Sequence, residues 1–408
     1  MNESRFVILG GGMVAGYTAK QLIELGLKPG DLTILSADTS IPYERPPLSK
    51  GFLAGKDTEE AIRINPEDFY RKQGIEVKLN CVVSAIDAQR KRLTLKAGGE
   101  FGFTRLVVAT GARPRTLDIP GAKLRNLHYL RSLDDSKAIR TSAANTKHAV
   151  VIGGGFIGME VAAVLSQKGV EVSMILSDDR IWKRLFSPQM SSFFEKYYKS
   201  RGVRFAKKAT VTELRGQQAI SSVLLTDGKA IACDMVVAGI GVRPVTEMLN
   251  GSGIDVSDSV MVNEYLETSS PGILAAGDVA NYQDVLFNKR RRVEHWDNAV
   301  TQGQYCARAL MGERTPFKHV PYFFSDVFDL SYEYWGDSSG ADQIVHRGDL
   351  SGKSFSVWWL NQKRLVAAFT MNRPDEEREL APRWIEAKQT LSASRLEDTA
   401  RSIAEAPE

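Results

Sequence analysis

Two glycine-rich segments each stand between an apolar run and a segment with helical spacing of its apolar residues. The first, GGGMVAG at residues 10–16, follows FVIL at 6–9, and the second, GGGFIG at residues 153–158, follows AVVI at 149–152. Glycines at such a strand-to-helix turn let the backbone approach a pyrophosphate, and the free N–H groups of the helix start bind its oxygens. The chain is therefore expected to bind two dinucleotides.

The two halves also resemble each other beyond these turns. The apolar runs LVVATG at 106–111 and DMVVAGIG at 234–241 each precede an Arg-Pro pair, at 113–114 and 243–244. This repeat predicts an α/β fold with two Rossmann-like, doubly wound dinucleotide-binding domains. A further strand that ends in Gly-Asp, GILAAGD at 272–278, would complete the first domain, so the second is expected to be inserted into it.

The region beyond about residue 311 has a different pattern. Apolar and polar residues alternate at 355–360 and 364–369, which predicts antiparallel strands in a C-terminal α+β domain. The charged, Ala-rich stretch 380–408 is expected to be helical and then frayed. The predicted boundaries are 1–112 with 243–311 for the first dinucleotide domain, 113–242 for the second, and 312–408 for the third.

Composition excludes several classes of protein. The 408 residues carry a net charge of only +4, and no run approaches the length of a membrane span. The cysteines Cys81, Cys233 and Cys306 are far apart and form no C-x-x-C pair. The sequence thus predicts a cytoplasmic protein with no metal site, which binds neither nucleic acid nor membrane. A monomer and a homodimer both remain open.

The two expected dinucleotides are a flavin that stays bound and a nicotinamide that exchanges. An acidic residue after the second strand of each copy normally binds the ribose hydroxyls. The candidates are Asp38 in the first copy, and Asp178 and Asp179 in the second. Asp178 favours NADH, since a carboxylate repels a 2′-phosphate. The nearby Arg180, Lys183 and Arg184 could instead bind that phosphate, or form a solvated loop. Asp278 could accept a hydrogen bond from a ribityl hydroxyl, or simply form a turn.

The order of four motifs resembles that of the two-dinucleotide flavoprotein reductases related to glutathione reductase. The motifs are the first glycine-rich segment, Thr110-Gly111, the second glycine-rich segment and Gly277-Asp278. PYERPPLSK at 42–50 and EHW at 294–296 resemble a narrower branch. That branch holds the ferredoxin, putidaredoxin and rubredoxin reductases, the apoptosis-inducing-factor-like proteins and the monodehydroascorbate reductases. The overall similarity is closest to monodehydroascorbate reductases and extends to about residue 374.

The resemblance implies FAD and NADH or NADPH as cofactors, and a role for particular residues. Lys50 and Glu160 resemble an ion pair beside flavin N5, and Trp296 an aromatic beside the flavin, so these three are the candidate catalytic residues. On local evidence alone, Lys50 would be a surface lysine and Glu160 a helix glutamate. The implied FAD-binding residues are Gly10, Gly12, Ala15, Asp38, Arg45, Lys50, Val82, Thr110, Gly111, Asp278, Glu294, His295 and Trp296. The implied NAD(P)H-binding residues are Gly153, Gly155, Ile157, Gly158, Glu160, Asp178, Arg184 and Gly241.

The sequence departs from the plant monodehydroascorbate reductases at two positions. Val300 stands where they carry an arginine and Phe324 where they carry a tyrosine, so two polar contacts to an anionic radical are missing. Residues 36–55 contain no cysteine, which excludes the thiol mechanisms of related reductases.

The predicted function is an FAD-dependent NAD(P)H oxidoreductase that passes electrons to a one-electron acceptor, a ferredoxin- or rubredoxin-type protein. The alternatives are a monodehydroascorbate reductase and an NADH-responsive redox sensor like apoptosis-inducing factor. The basic run at 289–292 could steer an acidic redoxin, or be a solvated loop. The aromatic residues of the third domain are expected in its core rather than on a docking patch; they are Tyr332, Tyr334, Trp335, Trp358 and Trp359.

Overall fold

The computed structural model describes residues 2–183 and 185–408. Contacts between residues divide it into two compact units. Unit 1 comprises Met1–Arg45, Thr58–Arg113 and Val242–Pro321, and unit 2 comprises Pro46–Asp57, Pro114–Gly241 and Tyr322–Glu408. Each unit is therefore assembled from segments that are distant in sequence.

The strands are numbered in chain order. They are β1 (Asn2–Leu9), β2 (Leu32–Leu35), β3 (Glu76–Lys78), β4 (Val83–Asp87), β5 (Arg92–Leu95), β6 (Glu100–Val108), β7 (Ala112–Pro114), β8 (Leu127–His128), β9 (His148–Ile152), β10 (Glu171–Leu176), β11 (Arg204–Lys207), β12 (Val211–Gly216), β13 (Ile220–Leu225), β14 (Ala230–Ala232), β15 (Met235–Ala238), β16 (Val242–Pro244), β17 (Val260–Met261), β18 (Ile273–Ala275), β19 (Ala280–Asp284), β20 (Lys289–Arg291), β21 (Tyr322–Val327), β22 (Leu330–Gly336), β23 (Gln343–Gly348), β24 (Phe355–Asn361) and β25 (Arg364–Met371).

The α-helices follow the same order. They are α1 (Met13–Glu24), α2 (Gly51–Ala54), α3 (Phe69–Lys72), α4 (Leu133–Ala143), α5 (Phe156–Gln167), α6 (Pro188–Lys199), α7 (Trp296–Leu310), α8 (Asp375–Ala387) and α9 (Ala393–Glu397). Short 3-10 turns lie at Pro46–Ser49, Glu247–Leu249, Gly277–Val279, Ser338–Gly340 and Ile403–Glu405.

Unit 1 is built on a sheet with the strand order β3-β2-β1-β6-β5-β4, to which β18 adds by pairing with β6. Strands β3, β2, β1, β6 and β18 are parallel, and β1 is buried from Phe6 to Leu9. Helices cover both faces of such a sheet, which is why its central strands read as continuous apolar runs. The late strand β18 joins the first sheet, as the sequence predicted for residues 272–278.

Unit 2 contains a second parallel sheet, ordered β11-β10-β9-β15-β8, and an antiparallel sheet, ordered β21-β22-β25-β24-β23. The two share one apolar core, in which the rings of Phe156 and Phe323 lie 4.5 Å apart. The α/β prediction, with two doubly wound halves and an antiparallel C-terminal part, is confirmed. The five aromatic residues expected in the third domain's core are all buried.

The predicted domain boundaries stay a prediction, but the contacts group the chain differently. Residues 46–57 cluster with unit 2 rather than with 1–112. The reason is that Leu53 packs in the core of unit 2 and Ser136 donates a hydrogen bond of 2.7 Å to the Leu48 carbonyl. The C-terminal residues likewise belong to unit 2, because its antiparallel sheet shares the core described above.

The expectation of a frayed C terminus is wrong. Ile403 and Ala406 are buried, and the Arg347 guanidinium donates to the carbonyls of Leu396, Asp398 and Arg401 at 2.6–3.0 Å. Arg347 is itself buried and pairs with Glu377 at 3.1 Å. A buried ion pair thus fixes the final segment of the chain.

We expect Glu377→Gln to destabilise the protein by about 3 kcal/mol, because it leaves the buried Arg347 guanidinium without its counter-charge. Urea unfolding followed by circular dichroism measures the loss. The control is Glu376→Gln, which changes an exposed neighbour on the same helix and should cost little. Equal stability of the two variants would contradict this account.

Candidate functional site

The two glycine-rich turns have the same construction in the structure. Gly10 has φ +126° and Gly153 has φ +108°, a region that other residues rarely adopt. A Cβ would lie 2.1 Å from the Ala109 carbonyl oxygen at Gly10, and 2.2 Å from the Gly239 carbonyl oxygen at Gly153. Each strand is therefore followed by a turn that only glycine can make, pressed against the end of a neighbouring strand.

The third glycine of each turn lies beside open space at a helix start. Gly12 precedes α1 and Gly155 precedes α5, and neither helix has a side-chain cap. A Cβ at Gly155 would meet nothing within 4 Å, and at Gly12 only the Arg45 guanidinium, at 4.0 Å. Uncapped N–H groups, the positive end of a helix and room for phosphate fit a dinucleotide diphosphate. The residues present thus fit FAD at the first turn and NAD(P)H at the second.

Neighbouring small residues complete each turn. Ala15 is fully buried on α1, and a Cβ at Gly158 would lie 2.3 Å from the Gly153 carbonyl oxygen. These positions let the helix pack directly on the turn, so they shape the cradle without needing to touch a ligand.

Asp38 and Arg45 lie together in unit 1. Arg45 Nη2 is 3.6 Å from the Asp38 carboxylate, which also accepts hydrogen bonds from the Tyr43 hydroxyl at 3.0 Å and the Thr39 N–H at 2.8 Å. The guanidinium further stacks on the Tyr43 ring, 4.7 Å from its centroid. Asp38 therefore orients the arginine that faces Gly12, in addition to its predicted contact with a ribose.

The remaining candidate FAD-binding residues lie elsewhere in unit 1. The Thr110 hydroxyl donates to the Val245 carbonyl at 2.6 Å, and Gly111 has a positive φ of 67°. Asp278 lies in the 3-10 turn after β18, where its carbonyl accepts from Arg292 at 3.3 Å. Val82 is exposed.

The segment 294–296 starts helix α7, with His295 as its N-cap residue. Glu294 forms an ion pair with Arg292. The Trp296 indole N–H donates to a Glu44 carboxylate oxygen at 2.6 Å, and the Tyr17 hydroxyl donates to the other oxygen at 2.5 Å. Burial and Glu44 together raise the pKa of the Tyr17 phenol, so Tyr17 remains a donor. Sequence reasoning missed Glu44 as the acceptor shared by Trp296 and Tyr17, because these contacts join residues that are distant in the chain.

The basic run 289–292 is largely engaged in local structure. Arg291 forms a buried ion pair with Asp284 at 2.9 Å, and Arg290 donates to the carbonyls of Val262 and Asn281 at 3.0 Å. Arg290 is nevertheless exposed. Part of the run is therefore held in local structure, and its role in steering an acidic redoxin stays a prediction.

Lys50 and Glu160 come together in unit 2. Lys50 Nζ lies 2.8 Å from Glu160 Oε1, and the Glu160 side chain is only 5% exposed. The buried hydroxyl of Ser325 donates to the same carboxylate at 2.5 Å, and the buried hydroxyl of Ser49 donates to its other oxygen. These three donors compensate a charge that burial alone would make costly. Neither serine was singled out from the sequence, since a lone serine carries no pattern.

The two positions that depart from the plant monodehydroascorbate reductases have different surroundings. Val300 is buried on α7 within the core of unit 1. The Phe324 ring centroid lies 5.4 Å from Lys50 Nζ. Phe324 therefore offers the face of a ring, and no hydroxyl, beside the Lys50 ammonium.

The two aspartates in the loop after β10 differ in their exposure and in their contacts with cations. Asp178 is exposed, whereas Asp179 lies 3.2 Å from Lys183 and 3.8 Å from Arg180. A hydrogen bond from Lys183 holds the pKa of Asp179 below its usual value. Arg184 lies outside the described residues. Ile157, on the first turn of α5, is exposed, and Gly241 has a positive φ of 96° after β15.

The comparisons with known proteins identify the family of this chain. Residues 4–303 match the family model for pyridine nucleotide-disulphide oxidoreductases, and residues 322–406 match the model for the reductase C-terminal domain. Peroxisomal monodehydroascorbate reductase 4 of Arabidopsis thaliana is 35% identical over 95% of this chain and 83% of its own length. Putidaredoxin reductase of Pseudomonas putida is 34% identical over 92% of this chain and 90% of its own length.

Solved structures give the same result. The putidaredoxin reductase in a covalent complex with putidaredoxin superposes with a TM-score of 0.94 at 33% identity, covering 99% of this chain and 98% of that one. A ferredoxin reductase from Rhodopseudomonas palustris also gives 0.94, at 32% identity over 99% of this chain and all of its own. Among the described residues, no helix is long and apolar enough to cross a membrane. The chain therefore belongs to the pyridine nucleotide-disulphide oxidoreductase family and is an FAD-dependent NAD(P)H oxidoreductase.

Proposed function

We propose that this oxidoreductase takes electrons from NADH and passes them singly to a ferredoxin-type iron–sulfur protein. The main reason to propose an iron–sulfur protein as the acceptor is the identity of residues 300 and 324, which are Val300 and Phe324. At both positions an apolar side chain replaces a polar group that the resemblance assigns to the ascorbyl radical. The similarity to putidaredoxin reductase and to a ferredoxin reductase, each along nearly the whole chain, supports the same choice.

When bound, FAD accepts the reducing equivalents of the nicotinamide and releases them to the acceptor. The chain's own contribution is to bind and orient both nucleotides at its glycine turns. Lys50, held by Glu160, is proposed to stabilise the negative charge that develops on the cofactor as it is reduced. The hydroxyls of Ser49 and Ser325 donate hydrogen bonds to the Glu160 carboxylate and hold it in place. The carboxylate in turn fixes the position of the Lys50 ammonium.

No cysteine takes part in this proposal. Burial raises the pKa of both Cys233 and Cys306 to about 12, and that of Cys81 above its usual value. At neutral pH these thiols are therefore protonated and unreactive. Electrons are proposed to leave the cofactor directly for the acceptor.

Reduction of the monodehydroascorbate radical is the second candidate. Several plant monodehydroascorbate reductases are 31–35% identical to this chain over most of its length, which is the observation in its favour. A redox sensor like apoptosis-inducing factor was the third interpretation of the sequence. It requires that NADH reduces the protein without appreciable turnover.

A cytoplasmic location and a monomeric or homodimeric state stay predictions. The relatives include proteins named for peroxisomes and for chloroplasts, so the family occurs in several compartments. Fractionation of the source cells and light scattering of the purified protein measure the two properties.

A steady-state assay distinguishes the acceptors. NADH oxidation is measured with a panel of ferredoxins and rubredoxins, and separately with ascorbate plus ascorbate oxidase. We expect rapid turnover with at least one redoxin and little with the radical, because Val300 and Phe324 offer it no polar contact. Rapid turnover with the radical and none with any redoxin would overturn the first choice in favour of the second. Bleaching by NADH with turnover on neither would favour the sensor.

Replacing Lys50 with methionine tests the proposed cation. Lys50→Met should slow reduction of the bound flavin by about a hundredfold, because the ammonium that stabilises the developing charge is lost. The FAD content should stay unchanged, since Ser49 and Ser325 still donate to Glu160. Anaerobic stopped-flow absorbance measures the rate. Lys56→Met, an exposed lysine on the same segment, is the control and should behave as wild type. An unchanged reduction rate in Lys50→Met would reject the role.

NADH is proposed over NADPH because, in the loop after β10, two of the basic residues pair with an aspartate while a second aspartate stays exposed. Lys183 and Arg180 are occupied by Asp179, which lowers their value as phosphate ligands. Asp178 remains exposed on the same loop. An exposed carboxylate, beside two cations that already pair with Asp179, disfavours a 2′-phosphate.

Asp178→Asn should therefore raise kcat/KM for NADPH relative to NADH by about fivefold, as expected for removing about 1 kcal/mol of exposed like-charge repulsion. Initial rates with ferricyanide at low salt give the two constants. Asp227→Asn, an exposed aspartate elsewhere in unit 2, serves as the control. A ratio that matches this control would exclude Asp178 from coenzyme selection.

A further inference from the structure

We propose that Glu44 is a positioning residue that holds the Trp296 indole in one orientation for the reaction. This inference rests on the proposed function and on the family resemblance, which implies that Trp296 lies beside the flavin. The indole N–H of Trp296 donates to one oxygen of the Glu44 carboxylate at 2.6 Å, and the Tyr17 hydroxyl donates to the other at 2.5 Å. All three residues belong to unit 1.

The three side chains come from separate elements that already pack together. Tyr17 lies on α1, Glu44 on the loop between β2 and the 3-10 turn at Pro46–Ser49, and Trp296 at the first position of α7. Helices α1 and α7 are also joined by a hydrogen bond of 2.8 Å from the Thr18 hydroxyl to the Gly303 carbonyl. The packing of α1 against α7 therefore does not depend on the hydrogen bonds that Glu44 accepts from Tyr17 and Trp296.

Packing encloses the Trp296 indole only in part. Trp296 is partly buried against the core of unit 1, and it stands at the first position of α7. A hydrogen bond to an ionised acceptor is shorter and stronger than one between neutral groups, and it is directional. The carboxylate of Glu44 thus supplies the constraint that packing leaves out.

Tyr17 fixes the carboxylate in turn. Burial and Glu44 raise the pKa of the Tyr17 phenol, so the hydroxyl keeps its proton and continues to donate. With one donor on each oxygen, rotation of the carboxylate breaks a hydrogen bond. The Glu44 side chain is therefore held between a buried helix and the indole that it orients.

The position of Glu44 in the sequence connects this anchor to the nucleotide turn. The next residue, Arg45, carries the guanidinium that faces Gly12. One short loop therefore places both a cation for the diphosphate and the acceptor for the indole. A displacement of about 1 Å in a reacting group can cost about a hundredfold in rate, so orienting Trp296 has a kinetic consequence.

The anchor itself is tested by NMR on the FAD-loaded protein labelled with ¹⁵N at the tryptophan indoles. Trp296→Phe identifies the Trp296 signal. In the wild type we expect one downfield signal with slow hydrogen exchange, and in Glu44→Ala an upfield signal that exchanges at least tenfold faster. Glu44→Gln keeps an acceptor oxygen and should restore the wild-type signal. The control is Ser356→Ala, which removes the acceptor 3.0 Å from the buried Trp358 indole and should move that signal alone.

The kinetic test is a double-mutant cycle on the same proteins, at matched FAD content. Glu44→Ala and Trp296→Phe should slow the same half-reaction by factors that agree within twofold, and the double variant should be no slower than either. Glu44→Gln should recover most of the rate.

An unchanged Trp296 signal in Glu44→Ala, or effects of the two substitutions that multiply, would overturn the proposal. A shifted Trp296 signal in Glu44→Ala, without a rate change in either single variant, would overturn the positioning role in the reaction. Failure of the redoxin assay leaves the NMR signals untouched, so the anchor and the proposed acceptor can fail separately.

Discussion

The structure depends on the close approach of backbone to backbone at two strand-to-helix turns. At Gly10 and Gly153 the chain passes so near a neighbouring carbonyl that a Cβ would collide with it, and each turn leaves a helix start uncapped. These uncapped N–H groups are what a diphosphate would satisfy. Each of the two parallel sheets places such a turn at the carboxyl end of one strand, β1 in the first sheet and β9 in the second.

Two carboxylates, the buried Glu160 and the partly buried Glu44, each accept hydrogen bonds from several donors. Glu160 accepts from Lys50, Ser49 and Ser325, and Glu44 accepts from Tyr17 and Trp296. In each case the donors come from distant parts of the sequence, and the carboxylate fixes the position of a side chain with a proposed role in the reaction. An ionised acceptor suits this purpose because its hydrogen bonds are strong and directional.

Much of the fold followed from periodicity and glycine chemistry. Continuous apolar runs predicted the buried parallel strands, and alternation predicted the C-terminal antiparallel ones, because the side-chain period of a strand is two. The packed C terminus was missed because Arg347 reaches carbonyls about fifty residues away, a contact without any local pattern. The roles of Ser325 and Glu44 were missed for the same reason. Candidate sites on a local motif were visible in the sequence, and those made by tertiary hydrogen bonds were not.

The central claim is that reducing equivalents pass from the nicotinamide through FAD to the acceptor without a sulfur relay. Anaerobic titration of the purified protein with NADH, followed by flavin absorbance and thiol counting, tests it most directly. We expect one equivalent of NADH per FAD to complete the reduction, with no change in the number of free thiols. Consumption of a second equivalent, with the appearance of two new thiols, would contradict it, since a disulfide would then be taking up the additional pair of electrons.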